Sequence, residues 1–198
     1  MTFQVTGKNT VTFIHVPKTA GTSITEWFRL MCVYPPNGYT MRRFCDTKEH
    51  WGVNEVRREV SDLGYTFAVV RNPWDYAVSL YSHLTQKMPV VYKEFEWLKD
   101  VSFNDWILNI DIYPNTFISP YTLSSNQCSW IDNTVDVLKY ESLEEDFKRV
   151  QKVVGNTLPL PIKNISQRTH YVDYYTEESK KRVSEIFAED IDRFKYRF

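Results

Sequence analysis

The chain has 198 residues, 42% of them hydrophobic and 25% charged, with a formal net charge of -1. Such a length predicts a single domain spanning 1–198 with a sizeable core. So balanced a charge excludes a global basic field for nucleic acid, so any anion site must be local.

The N-terminal run MTFQVTGKNT has no basic stretch followed by an apolar one, and no 18-residue apolar run occurs anywhere. Neither a signal peptide nor a membrane span is therefore expected, and a cytoplasmic location follows. VTFIHV (11–16) is β-branched and aromatic and predicts a strand. GTSITEWFRLMC (21–32) predicts a helix, with Ser23 and Glu26 spaced as a capping box. Val53, Val56, Val60 and Leu63 form one stripe of a second helix over 52–63.

YTFAVV (65–70) is a continuous apolar run of strand length, as in a strand buried on both faces. A helix follows over 72–84, with Asn72 as N-cap and Pro73 in its first position. Its buried stripe is Trp74, Ala77, Val78 and Tyr81. Asn72, Asp75, Ser79 and His83 share another face, expected to lie away from that stripe. SFNDWILNI (102–110) opens with Ser-x-x-Asp and predicts a short helix. TVDVLKY (134–140) predicts a third strand. SLEEDFKRVQKVVG (142–155) has a capping box at its start and a glycine past its end. The last helix is expected over 176–194. Cys32, Cys45 and Cys128 stand far apart with no Cys-x-x-Cys spacing, so no zinc site, other metal site or disulfide framework is expected.

Strands alternating with helices predict an α/β fold: a P-loop-like three-layer domain with a central, mainly parallel sheet. Ligands then sit at the carboxyl ends of the strands, where the loops after Val16 and Val70 lie. In the first loop, PKTAGTS (17–23), a strand–helix turn directs backbone N–H groups at one spot. Gly21 permits close approach, Thr22 and Ser23 supply hydroxyls, and Lys18 supplies charge. The lysine precedes the glycine, opposite to the order of a nucleotide triphosphate loop, and no strand ends in an aspartate suited to magnesium. In the second loop, Arg71 ends a buried strand and could grip a phosphate bidentately, or pair with Asp75 as a structural bridge. Ser79, about two turns into the helix, could reach the same phosphate.

FIHVPKTAGTSI and FAVVRNPWDYAVSLY resemble the two nucleotide-binding motifs of the sulfotransferase family that includes heparan 2-O- and chondroitin sulfotransferases. EHWGVNEVRREV, VDVLKYESLEEDF and the ending YTEESKKRVSEIFAEDIDRFKYRF extend the resemblance over most of the chain. It implies 3′-phosphoadenosine 5′-phosphosulfate (PAPS) as cofactor and 3′-phosphoadenosine 5′-phosphate (PAP) as product. Lys18, Thr19, Ala20, Gly21, Thr22 and Ser23 would hold the 5′-phosphosulfate, with Lys18 also on the leaving oxygen. Arg71 and Ser79 would hold the 3′-phosphate. Arg168, in the loop that carries His170, could reach that phosphate or the adenine, or stand as a solvated arginine.

The resemblance implies a histidine base, and His50 matches the family position. His15 also matches a family position, usually one of packing or loop ordering, while His83 and His170 are explained equally well as a helix surface and a loop residue. Trp27 and Trp74 could stack on adenine, although both fit core stripes. Gln127 and Trp130 stand where the family shapes its acceptor side, and the aromatic-rich segment 88–131 would suit a lid or acceptor wall. The acceptor would carry a hydroxyl, with carbohydrate or a small molecule foremost. Two other readings stay open: a P-loop-type small-molecule kinase and a non-catalytic nucleotide-binding protein. The sequence does not give the oligomeric state.

Overall fold

A computed structural model describes residues 1–33, 38–44, 50–86, 93–111, 126–163 and 168–198. Cys45, and residues 88–92 and 112–125 of the expected acceptor wall, lie outside them. The chain divides into two compact units, Met1–Arg71 with Gln127–Asn164, and Asn72–Asn126 with Ile165–Phe198. The fold is α/β, with a mixed central sheet flanked by helices.

The first unit holds the sheet. Its strands are β1 (Phe3–Thr6), β2 (Val11–Ile14), β3 (Thr40–Arg43), β4 (Tyr65–Val70) and β5 (Asp136–Lys139), in the order β3-β1-β2-β4-β5. β4 runs parallel to β2 and to β5, while β1 is antiparallel to β2 and β3. β4 matches its expected bounds and is buried from Thr66 onward, as a central parallel strand must be. The pairing of Ile14 with Ala68 brings the carboxyl ends of β2 and β4 side by side. Both loops singled out in the sequence therefore leave the same edge of the sheet.

Phe3, Phe13 and Phe67 form an aromatic ladder across β1, β2 and β4, with ring centroids 5.3 and 5.1 Å apart. Helix α1 (Gly21–Val33) covers it with Ile24, Trp27, Phe28 and Met31, all buried. That i, i+3, i+4, i+7 spacing puts them on one face. Each such side chain contributes roughly 1.5–3 kcal/mol by leaving water. Trp27 is a core residue, edge-on to Phe147 and donating its indole N–H to the Leu158 carbonyl at 2.8 Å.

Several local expectations are corrected. Ser23 lies at the third position of α1, too far in to cap it; its hydroxyl accepts the Lys163 N–H at 3.1 Å, and Glu26 pairs with Arg29. Helix α2 (Val53–Glu59) stops well short of Leu63, because Val60 turns extended. The Asp62 carboxylate then accepts the Gly64 N–H at 2.9 Å, forming the turn into β4. Gly64 holds φ +58 with the Thr10 carbonyl 2.1 Å from where a Cβ would stand, so no other residue fits there. After β5, a 3₁₀ turn (Tyr140–Ser142) leads into helices α5 (Leu143–Asp146) and α6 (Lys148–Val154). Ser142 lacks the extended N-cap backbone and makes no cap; its hydroxyl donates to Asp146 instead. Gly155 ends α6 at φ 71, as its position predicts.

The second unit is helical among its described residues: α3 (Pro73–Gln86), a 3₁₀ segment (Lys93–Asp100), α4 (Phe103–Leu108), a 3₁₀ turn (Tyr171–Tyr174), α7 (Glu177–Ile186) and α8 (Ala188–Phe194). Asn72 caps α3 by accepting the Trp74 N–H at 3.0 Å, and Ser102 caps α4. The single helix expected over 176–194 is broken at Phe187, whose backbone leaves helical geometry and whose ring is fully buried against Tyr76. The face of α3 expected to lie away from the core is also corrected. Asn72 and Ser79 are buried, because the 93–100 segment, the 171–174 turn and α7 all pack on α3.

Candidate active site

The loop from β2 to α1 is built on unusual backbone. Lys18 and Ala20 hold φ of 62° and 64°, conformations that cost a residue with a Cβ about 1 kcal/mol or more each. Thr19 between them stays on the negative side. Alternation of this kind turns successive N–H groups into a concave cradle for an anion. Thr19 is fully buried and donates its hydroxyl to the Val16 carbonyl at 2.8 Å, so its side chain ties the loop down. Thr22 is exposed, and Ser23, having accepted from Lys163, keeps its O–H proton for a second partner.

Gly21, the first residue of α1, is required for steric reasons. A Cβ there would lie 1.8 Å from His15 Nε2, so the imidazole fills the space a side chain would take. His15 Nδ1 meets the Met1 amino group. Burial holds the His15 ring well below its ordinary pKa, and the nearby charges of Met1, His50 and Lys18 push the same way.

Arg71 follows directly on β4 and is 6% exposed. Its guanidinium donates to the Lys18 carbonyl at 3.1 Å and lies 3.9 Å over the Tyr140 ring. The two cations singled out from separate loops are thus joined through the strained residue itself. The Arg71 backbone is held on both sides by one amide. Gln127 Oε1 accepts the Arg71 N–H and Gln127 Nε2 donates to the Arg71 carbonyl, each at 2.8 Å.

His50 donates its Nδ1–H to the His15 carbonyl at 3.1 Å. That fixes the tautomer and puts the ring's basic lone pair on Nε2. The ring is edge-on to His15 at 4.4 Å and edge-on to Trp130 at 6.0 Å. Burial lowers its pKa from 6.5 to about 4, with the Met1 charge adding and the His15 carbonyl opposing. His50 is therefore neutral at pH 7.

A profile of the sulfotransferase family matches residues 1–197. The chain belongs to the sulfotransferase family. No curated protein and no solved structure matches it significantly.

In this sulfotransferase-family chain, Lys18, Thr19, Ala20, Gly21, Thr22, Ser23, His50 and Arg71 all belong to the first unit, whereas Ser79 and Arg168 belong to the second. Ser79 is 3% exposed within α3. Arg168 is no solvated arginine. It pairs with Asp75, and the two side chains are only 12% and 13% exposed. Trp74 is a core residue, donating its indole N–H to the Lys180 carbonyl at 3.1 Å. Among the described residues no three His, Cys, Asp or Glu side chains come together as metal ligands, and no helix is long and apolar enough to cross a membrane. Sequence reasoning missed what Gln127 and Tyr140 do around Arg71, because no local pattern marks contacts made across so many residues.

Proposed function

We propose that this chain transfers the sulfuryl group of PAPS to an acceptor hydroxyl, with carbohydrate the first acceptor class to test. The observation that carries the reading is the Lys18–Gly21 loop, clamped by Arg71 at the head of α1. Its donors are what a phosphosulfate calls for: backbone N–H groups in a concave turn, a helix start, hydroxyls, and a lysine. When bound, PAPS would supply an activated sulfuryl group and a good leaving phosphate.

The protein's part is then positional and electrostatic. Lys18 and the N–H groups of residues 19–23 offset negative charge on the 5′ side, and Lys18 also acts on the leaving oxygen. Arg71 and Ser79 hold the 3′-phosphate. Arg168, held by Asp75, has further guanidinium donors to offer the nucleotide. His50 takes the acceptor's proton at Nε2, because its Nδ1 is committed to the His15 carbonyl.

The test is calorimetric titration with PAP in the absence of metal, beside ATP with Mg²⁺. Tight PAP binding that is strongly but still measurably weakened in Arg71→Ala supports the reading and directs an acceptor screen with PAPS. Binding of ATP with Mg²⁺ alone overturns it in favour of a small-molecule kinase.

A further inference from the structure

The 3₁₀ turn Gln127–Trp130 precedes β5 in the first unit, and its first residue carries no exposed surface at all. Gln127 spends both ends of its amide on the backbone of Arg71. A side-chain amide that copies a strand partner is an economical way to pin the end of a parallel strand. Beyond Val70, the described ladder between β4 and β5 has ended. Without Gln127, the Arg71 N–H and carbonyl would have to find other partners in a buried setting, at a real cost.

The consequence reaches the side chain. The Arg71 guanidinium lies over Tyr140 and donates to Lys18, the residue with φ 62°. A shift of the Arg71 backbone therefore moves the guanidinium and loosens the clamp on the loop. The same four-residue turn carries Trp130 against His50, and Gly52 packs on the Trp130 backbone, where an added Cβ would stand 3.0 Å from the carbonyl.

We infer that Gln127 is a positioning residue for nucleotide binding, acting through the Arg71 backbone to aim its guanidinium. This rests on the proposed reading of the site as one for PAPS. It also reassigns Gln127, expected from the sequence on the acceptor side.

The test compares the parent protein with Gln127→Met, which keeps the volume and removes both hydrogen bonds. Each is titrated with PAP and with adenosine 5′-phosphate, in the native and Arg71→Ala backgrounds. Misaiming one binding group is expected to weaken PAP by about tenfold. Adenosine 5′-phosphate should weaken much less, and Gln127→Met should cost nothing further once Arg71 is alanine. Three results overturn the inference: unchanged PAP affinity, equal loss for both nucleotides, or losses that add in the double variant. If Gln127→Met lacks a cooperative thermal transition, Gln127→Glu replaces it, keeping the acceptor for the Arg71 N–H and losing the donor to the carbonyl; the same outcomes decide. Failure of the parent itself to bind PAP is a different result, and removes the reading of the site on which the inference stands.

Discussion

His50 gives its Nδ1 proton to the main-chain carbonyl of His15, and the two rings meet edge to face 4.4 Å apart. On the proposed reading this half-buried neutral imidazole, its Nδ1 committed to the His15 carbonyl, would take the acceptor's proton at Nε2. His50→Ala is expected to lower sulfotransfer by about 10²–10⁴-fold, in line with the loss of a general base. PAP affinity, measured by calorimetry, should stay within about twofold of the parent on the same view, since general-base catalysis acts in the transition state. A variant with full turnover would remove His50 from the mechanism while leaving the nucleotide site intact.

The same burial sets a pH dependence. His50 falls from 6.5 to about 4, so its acid limb in kcat/KM is expected near pH 4 rather than near 6.5. Stability follows the same sign. The stabilisation is fully present above 6.5, where His50 is neutral folded or unfolded. As pH falls, the unfolded chain takes up a proton that the folded chain refuses until about pH 4, so this contribution is lost across that window. Urea titrations at a series of pH values, with and without His50→Ala, isolate it; a variant with the parent's pH slope would contradict this assignment.

Gly21 is bounded by the His15 imidazole. Gly21→Ala is expected to destabilise by about 1–3 kcal/mol through overpacking, and to disturb the His15–His50 pair. The double variant Gly21→Ala/His15→Ala should recover most of that stability. Chemical denaturation of the three proteins checks it, and strictly additive losses would show that the ring is not the obstacle.

Ala20 stands at φ 64°, which glycine adopts freely and a β-branched residue resists. Ala20→Val is expected to cost about 2 kcal/mol and to abolish PAP binding, whereas Ala20→Gly should stay within about 1 kcal/mol of the parent. The pair of urea midpoints tests this directly. Equal midpoints for glycine and valine would mean that the loop does not need the left-handed turn.

Asp75 and Arg168 form a pair whose side chains are 13% and 12% exposed. Removing one partner leaves the other charge in a poorly hydrated place. Arg168→Ala is therefore expected to cost about 2 kcal/mol, less than a fully buried pair would. Asp75→Ala/Arg168→Ala should cost less than the sum of the single changes. A double-mutant cycle by thermal or urea unfolding measures that coupling.

The sequence alone determined the features carried by short-range chemistry. β4 is legible because six consecutive residues suit a strand buried on both faces. Asn72 and Pro73 start α3, and Gly155 ends α6, because capping needs only neighbouring residues. The order Pro17-Lys18-Thr19-Ala20-Gly21 likewise announces the turn from a strand into a helix. β1 and β3 went unread: four residues each, with β3 mostly exposed, they carry too little pattern to stand apart from loop.

Only the tertiary structure decided what those local pieces touch. Gln127 reaches Arg71 across 56 residues of chain, and His50 reaches the His15 carbonyl across 35. Ser23 and Ser142 meet the spacing of a capping box, yet their hydroxyls go to Lys163 and Asp146, because the observed helix start and backbone geometry, not spacing, decide whether a serine can cap. Phe187 breaks a regular helical pattern because burying its ring against Tyr76 outweighs one more turn of helix. Except at Ser142, whose partner stands four residues on, a distant partner supplied the deciding free energy, and no short window of sequence contains both partners.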